Sequence, residues 1–217
     1  MTERKNNEHA KYTLLINLNL YKMIEWLINN PFIFGLITFI LMFIDWGLTI
    51  LQENQRKEHY FKHYQSYPIN TIEGSPSFQR AVAKRRLINP KHFIASMIIG
   101  TAVSFALILI PRGFSALFIG YIWGLFIIVC TQHLNNLFGY IASRKGLHGK
   151  LYLHQRTAYL IQSGRYFSMA IFLLILSILS GSEIIYGVTI AGFASALRQI
   201  IWLEGTGRSA LPVLTFS

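Results

Sequence analysis

The stretch PFIFGLITFILMFIDWGLTIL, residues 31–51, decides the fold class of this protein. It is long enough to cross a bilayer, because an α-helix rises about 1.5 Å per residue and the hydrocarbon core is roughly 30 Å thick. One acid, Asp45, interrupts the otherwise uncharged run. The stretch therefore predicts a transmembrane helix, and it begins at a proline, which suits the first turn of a helix.

Four further apolar stretches suit membrane-spanning helices. The second and third are separated only by Pro111-Arg112-Gly113, and the fourth and fifth only by Gly181-Ser182-Glu183. Connections this short join antiparallel neighbours, which predicts two helical hairpins. The sequence thus predicts an all-α integral membrane protein with about five transmembrane helices. Its bundle covers residues 31–203, with spans at about 31–51, 93–110, 114–137, 166–179 and 184–203.

The composition also indicates a lipid environment. Of the 217 residues 53% are hydrophobic and 13% charged, whereas about a quarter of a typical soluble domain is charged. The basic residues that give the net charge of +11 lie mainly between the apolar stretches. This distribution is typical of the loops of a membrane protein and argues against a nucleic-acid-binding surface. The single cysteine, Cys130, excludes an intramolecular disulfide. No motif calls for a cofactor.

Residues 1–30 form a polar tail followed by an amphipathic segment. Within residues 12–29, Lys22, Glu25 and Asn29 stand at helical spacing among leucines and isoleucines. This pattern predicts a helix that lies in the membrane interface. A sixth transmembrane span is the alternative interpretation of the segment.

Basic residues concentrate in the segments 54–90 and 140–165. Because Lys and Arg accumulate on the cytoplasmic side of membrane proteins, both segments are predicted to be cytoplasmic loops. The N-terminus then lies outside, and the C-terminal tail, residues 204–217, lies in the cytoplasm. The basic run RAVAKRR, residues 80–86, is expected to lie against anionic lipid.

Asp45 is the most informative polar residue in the apolar stretches. A carboxylate inside a span costs roughly 2.5–3.5 kcal/mol on insertion scales, so it requires a partner, a cavity or a proton. Thr38, Thr49 and Glu53 fall near the same helical face as Asp45. This face is predicted to point into the bundle.

Other spans carry polar side chains at a similar depth. The third carries His133 and Asn136 near its cytoplasmic end, and the fifth carries Arg198. These residues predict a polar site centred on Asp45. Three roles remain open for Asp45: a buried ion pair with Arg198 that only joins two helices, a working site at which His133 or Glu53 relays protons, and a contact within an oligomer.

Small residues recur at every fourth position in three spans and predict close helix packing. The partner helix belongs either to the same chain or to a second copy in a homo-oligomer. The stripes are Ser96, Gly100 and Ser104; Ala116, Gly120 and Gly124; and Gly187, Ala191 and Ser195.

His59 and His63 in the first basic loop form a weak candidate for a metal site. They stand one helical turn apart, but a catalytic zinc site normally has a third protein ligand. The expected role of this segment is a solvated extension of the first span.

Two short motifs resemble signatures of uncharacterised families of small polytopic membrane proteins. Asp45-Trp46-Gly47-Leu48-Thr49 is similar to a D-x-x-L-T signature, and Glu73-Gly74-Ser75-Pro76 to E-x-N-P, with Ser75 in place of the asparagine. The resemblance implies no particular reaction. It adds Glu73 to the candidate site residues.

Three classes of function are compatible with these features. The first is a small channel or an ion- or proton-coupled transporter that uses the Asp45 site. The second is a structural or accessory subunit of a membrane complex, and the third is a membrane-embedded lipid-modifying enzyme. The motifs G-x-S-x-G, H-E-x-x-H and the P-loop are missing from the sequence, which argues against an enzyme of the soluble type.

Overall fold

The computed structural model describes residues 21–58, 64–66, 71–73, 75–142, 144, 151–153 and 155–206. Helix α1 covers residues 21–29 within this range. The other elements, in chain order, are α2 (Pro31–Glu58), β1 (Tyr64–Ser66), α3 (Pro76–Ala83), α4 (Pro90–Leu109), α5 (Arg112–Ala142), β2 (Leu151–Leu153), α6 (Gln155–Ser180) and α7 (Glu183–Thr206).

Five of these helices, α2 and α4 to α7, are long and apolar enough to cross a membrane. This confirms the predicted number of spans and the largely α-helical architecture. The only strands among the described residues, β1 and β2, pair in parallel over three residues each. They join the two basic segments of the chain to each other.

The helices extend beyond the predicted spans. Helix α2 continues to Glu58 and α5 to Ala142, and α6 already begins at Gln155 instead of at residue 166. The segment 54–90 also contains α3, a short helix that the sequence reasoning missed. Hydropathy marks where a helix is apolar, but backbone hydrogen bonds continue through charged residues such as the exposed Arg165.

The order of packing differs from the predicted pair of hairpins. Helices α6 and α7 pack closely along their lengths, as expected, but α4 and α5 barely touch beyond their shared turn. Helix α2 packs against both of them instead, and α5 packs against α7. The main contacts therefore run in the order α4, α2, α5, α7, α6. A tight turn fixes the ends of two helices but not the surfaces that they bury.

All the residues of the small-residue stripes except Ala116 are buried within the chain. Gly100 of α4 lies against Gly35 of α2, where a Cβ on Gly100 would come within 2.8 Å of the Gly35 carbonyl oxygen. Gly120 and Gly187 lie in the contact between α5 and α7, where any Cβ would clash with the facing backbone. Packing within one chain therefore accounts for these stripes.

Helix α1 packs at the end of the bundle where α2 and α5 begin. Leu27 is buried against Phe34, Val103 and Ile119, whereas Trp26 is half exposed. Asn29 accepts a hydrogen bond from Arg112. The described part of the predicted amphipathic helix is thus helical, with one face on the bundle, and residues 12–20 lie outside the described residues.

The opposite end of the bundle, where α2 and α5 finish, is called the basic end below. Here α3 packs on α2 through a cluster of Trp46, Ile50 and Val82. The side chain of Arg144, which follows α5, donates to Gln55 Oε1 on α2 at 3.0 Å. These contacts hold the basic segments against the helix that carries Asp45.

Candidate functional site

Asp45 and His133 meet between α2 and α5, near the basic end. His133 Nε2 lies 3.0 Å from Asp45 Oδ1, and the two side chains are 20% and 29% exposed. Asp45 Oδ1 is itself buried, yet it accepts no well-aligned hydrogen bond from any described residue. The atoms are therefore at ion-pair distance without hydrogen-bond alignment, which leaves the carboxylate with unused acceptor capacity.

Gln52 orients the imidazole ring. Its side-chain amide nitrogen contacts His133 Nδ1. An amide nitrogen only donates, so Nδ1 is the acceptor in this contact. The other ring nitrogen, Nε2, lies beside Asp45 Oδ1 and 3.3 Å from the hydroxyl oxygen of Thr49. Thr49 in turn donates to the backbone oxygen of Asp45 at 3.0 Å.

Sequence reasoning missed Gln52, although a signal for it was present. It lies seven residues after Asp45 and three after Thr49, which places all three residues on one helical face. Glu53, chosen instead because it carries charge, lies on the adjoining part of the helix surface. Thr38, Thr49 and Glu53 are buried, as predicted for this side of α2.

Glu53 belongs to a closed network of its own. It is fully buried, pairs with Arg56 through hydrogen bonds of 2.9 and 3.1 Å, and lies 3.3 Å from the ammonium of Lys57. It also accepts a hydrogen bond from the backbone nitrogen of Ile72 at 3.2 Å. With its oxygens occupied in this way, Glu53 holds the following loop.

The loop held by Glu53 carries Glu73. The Glu73 backbone nitrogen donates to Thr71 Oγ1 at 3.3 Å, and its carboxylate accepts from the Ser75 backbone nitrogen at 2.7 Å. This carboxylate thereby caps the turn that leads into α3 at Pro76. Its position is determined by local hydrogen bonds.

The charge of Glu73 interacts with the Asp45 site. Burial is the main cause that raises the pKa of Glu73, and the negative charge of Asp45 raises it further. The hydrogen bond from Ser75 and the charges of His133 and Arg198 act in the opposite direction. Glu73 is thus a second carboxyl group in electrostatic contact with the Asp45 site, displaced towards the protonated form.

Arg198 lies on α7. Its side chain is exposed, and its charge acts on Glu73 and on the hydroxyl of Tyr166. The buried ion pair considered for Asp45 and Arg198 therefore has an exposed member. His133 lies at ion-pair distance from Asp45.

Asn136 belongs to a polar ladder that links α5 to α6. Gln132 Nε2 donates to Asn136 Oδ1 and to Gln162 Oε1, each at 3.2 Å. Gln162 Nε2 then donates to the Tyr166 hydroxyl at 3.0 Å. The ladder therefore joins α5 to α6 through side-chain hydrogen bonds.

An aromatic stack fixes the orientation of α2 beside Asp45. Trp46 is buried, and its ring stacks on His92 of α4 with centroids 4.6 Å apart. Its Nε1 donates to the backbone oxygen of Leu87 at 2.8 Å. A large buried side chain with a satisfied N–H opposes rotation of the helix about its axis.

No metal-binding cluster is formed within the described ranges, where three or more His, Cys, Asp or Glu side chains nowhere converge. His59 and His63 lie outside the described residues, so the weak metal site at these positions stays a prediction.

Comparisons with known proteins do not assign the chain to a family. No family model, no curated protein and no solved structure matches it. The function is therefore argued from the geometry of the site.

Proposed function

We propose that the protein is a small proton-coupled transporter or channel that binds protons at the Asp45–His133 pair. The observation that carries the proposal is the 3.0 Å separation of His133 Nε2 and Asp45 Oδ1, where this buried oxygen accepts no aligned hydrogen bond. A carboxylate inside a span is costly and is characteristic of ion and proton pathways. Histidine is the side chain whose usual pKa lies near physiological pH.

Glu73 supports a path from water to this pair. Its raised pKa brings proton exchange closer to neutral pH, and its charge interacts with both Asp45 and His133. In the proposed pathway a proton passes from the aqueous basic end to Glu73 and then to the Asp45–His133 pair. Gln52 keeps the imidazole in the orientation that presents Nε2 to the carboxylate.

The arrangement gives less support to a nucleophilic enzyme. In an acid–histidine–nucleophile triad, the acid and the nucleophile contact opposite nitrogens of the ring. Here Asp45 and Thr49 both face Nε2, while Gln52 occupies Nδ1. Thr49 also donates its proton to a backbone oxygen. The ring is therefore not positioned to remove that proton.

The proposal is tested by proton flux in proteoliposomes. We expect an imposed membrane potential to drive proton uptake by the wild type, and expect Asp45→Asn and His133→Gln to fall to the level of empty liposomes. Glu183→Gln, which neutralises an exposed acid at the opposite end, is the matched control.

Wild-type flux in a folded Asp45→Asn variant would contradict the proposal. A wild type that does not conduct protons would instead support the function of a structural subunit.

A further inference from the structure

The segment that leads from α3 into α4 carries an unusual combination of side chains. Lys84, Arg85 and Arg86 are exposed, and Leu87 and Ile88 behind them are 67% and 83% exposed. None of the three cationic side chains pairs with another residue in the described part of the chain. This five-residue segment, 84–88, is called the basic hook.

The backbone of the basic hook is held in a defined shape. The Arg86 nitrogen donates to the Ala81 oxygen at 3.0 Å, and the Arg85 nitrogen donates to the Val82 oxygen at 2.8 Å. This is a Schellman ending for α3, in which the residue with positive φ is normally glycine. Here the residue is Arg85, with φ of 54°. An arginine thus occupies a position where glycine fits without strain.

The basic hook is also held at a defined depth. Trp46 Nε1 donates to the Leu87 oxygen at 2.8 Å, and Asn89 caps α4 by accepting from the Lys91 nitrogen. Helix α4 has 20 residues, so at about 1.5 Å per residue its full length is needed to cross roughly 30 Å of hydrocarbon. The basic hook, which directly precedes α4, therefore lies at the level of the lipid headgroups.

Three other cations near this end have partners in the protein. Arg56 and Lys57 pair with Glu53, and Arg144 donates to Gln55. The three cations of the basic hook differ from these because their counter-charge must come from outside the described protein. At headgroup depth the available anions are lipid phosphates.

We propose that the basic hook binds the headgroup of an anionic phospholipid in the leaflet at the basic end. Lys84, Arg85 and Arg86 contact the phosphate, while Leu87 and Ile88 insert among the upper acyl-chain segments. The geometry of α3 brings three cations into one turn at the membrane surface. The site is independent of Asp45 and does not rest on the proton-binding function.

The experiment measures the preference for a labelled phosphatidylglycerol over labelled phosphatidylcholine around the full-length protein in phosphatidylcholine bilayers. Each basic residue near the surface contributes up to about a fivefold preference. We expect the triple variant Lys84→Gln, Arg85→Gln, Arg86→Gln to lose most of the preference. Arg112→Gln, which removes a cation at the opposite end, should keep it.

Two substitutions at Arg85 separate lipid binding from folding. Arg85→Lys should retain the preference because it retains the charge. Arg85→Gly should lower the preference with no fall in thermal stability, because glycine suits the positive φ. A triple variant with the wild-type preference would overturn the proposal, and so would an Arg85→Gly variant that loses stability together with lipid preference. Displacement of the lipid by inorganic phosphate, compared with chloride at equal ionic strength, would assign the cations to a soluble anion instead.

Discussion

Asp45 and Glu53 lie eight positions apart on α2, yet the surroundings of these two carboxylates differ. Glu53 is fully buried and is held by Arg56, Lys57 and the backbone of Ile72. Asp45 is partly exposed, with one close imidazole and a buried oxygen that accepts no aligned hydrogen bond. The comparison separates a carboxylate that its neighbours satisfy fully from one that its neighbours satisfy only in part.

The difference follows from the cost of burying charge. A buried ion is tolerated when neighbouring groups satisfy it, and removing one member of such a network leaves an uncompensated charge. A carboxylate that is only partly satisfied contributes less to stability and is free to exchange a proton. Substitution of Glu53 should therefore lower mainly the stability of the protein, and substitution of Asp45 should lower mainly its proton flux.

The largest expected effect on stability belongs to Glu53→Ala. It removes the carboxylate from the buried Arg56 and the acceptor from the Ile72 nitrogen, so we expect a loss of about 3–5 kcal/mol in the free energy of unfolding. Denaturant or thermal unfolding in detergent measures this loss, with Glu183→Ala as the control. A loss no larger than that of the control would mean that the Glu53 network does not stabilise the fold.

Glu73 should give an intermediate effect. Glu73→Ala removes the acceptor for the Ser75 nitrogen at the start of α3, and a hydrogen bond to a charged group contributes roughly 1.5–3 kcal/mol. Because Glu73 is only half-buried, the lower part of this range is expected. Glu73→Gln keeps an acceptor oxygen and should lose less stability than Glu73→Ala. Equal losses in the two variants would contradict the capping role.

The pH dependence of Glu73 has a defined sign. Its pKa in the folded protein is raised above the usual 4.5, so the folded state holds this proton more tightly than the unfolded chain does. The stability that it contributes is complete below the unfolded pKa and is lost as the pH rises through the folded pKa. Unfolding measured over this pH range should therefore favour Glu73→Gln increasingly over the wild type. A difference that is independent of pH would contradict the raised pKa.

The smallest effect on stability is expected for Asp45→Asn. Asparagine retains an oxygen towards His133 Nε2 and removes the cost of a charge inside a span. We expect the free energy of unfolding to change by less than about 1 kcal/mol, since the lost ion pair and the relieved burial cost oppose each other. Proton flux should be lost in the same variant. A loss of stability as large as that of Glu53→Ala would erase the distinction between the two carboxylates.

The helices that are long and apolar enough to cross a membrane could be recognised in the sequence because this property is local. A run of about 20 apolar residues has few alternatives to a membrane-spanning helix. The helical face of α2 that carries Asp45 and Thr49 could be predicted for the same reason, because helical periodicity relates residues that are close in sequence. The candidate residue Glu73 came from a short motif, and its interaction with Asp45 was not foreseen.

The sequence alone therefore determined the five spans, their short turns and the position of a carboxylate within the first span. Only the tertiary structure decided that α2 packs between α4 and α5, that His133 lies beside Asp45 while Arg198 is exposed, and that Glu53 is enclosed by its own network. The reason is physical. Crossing a membrane depends on the composition of one segment, whereas the choice of partner depends on how surfaces far apart in the chain fit together, as Gly35 does against Gly100.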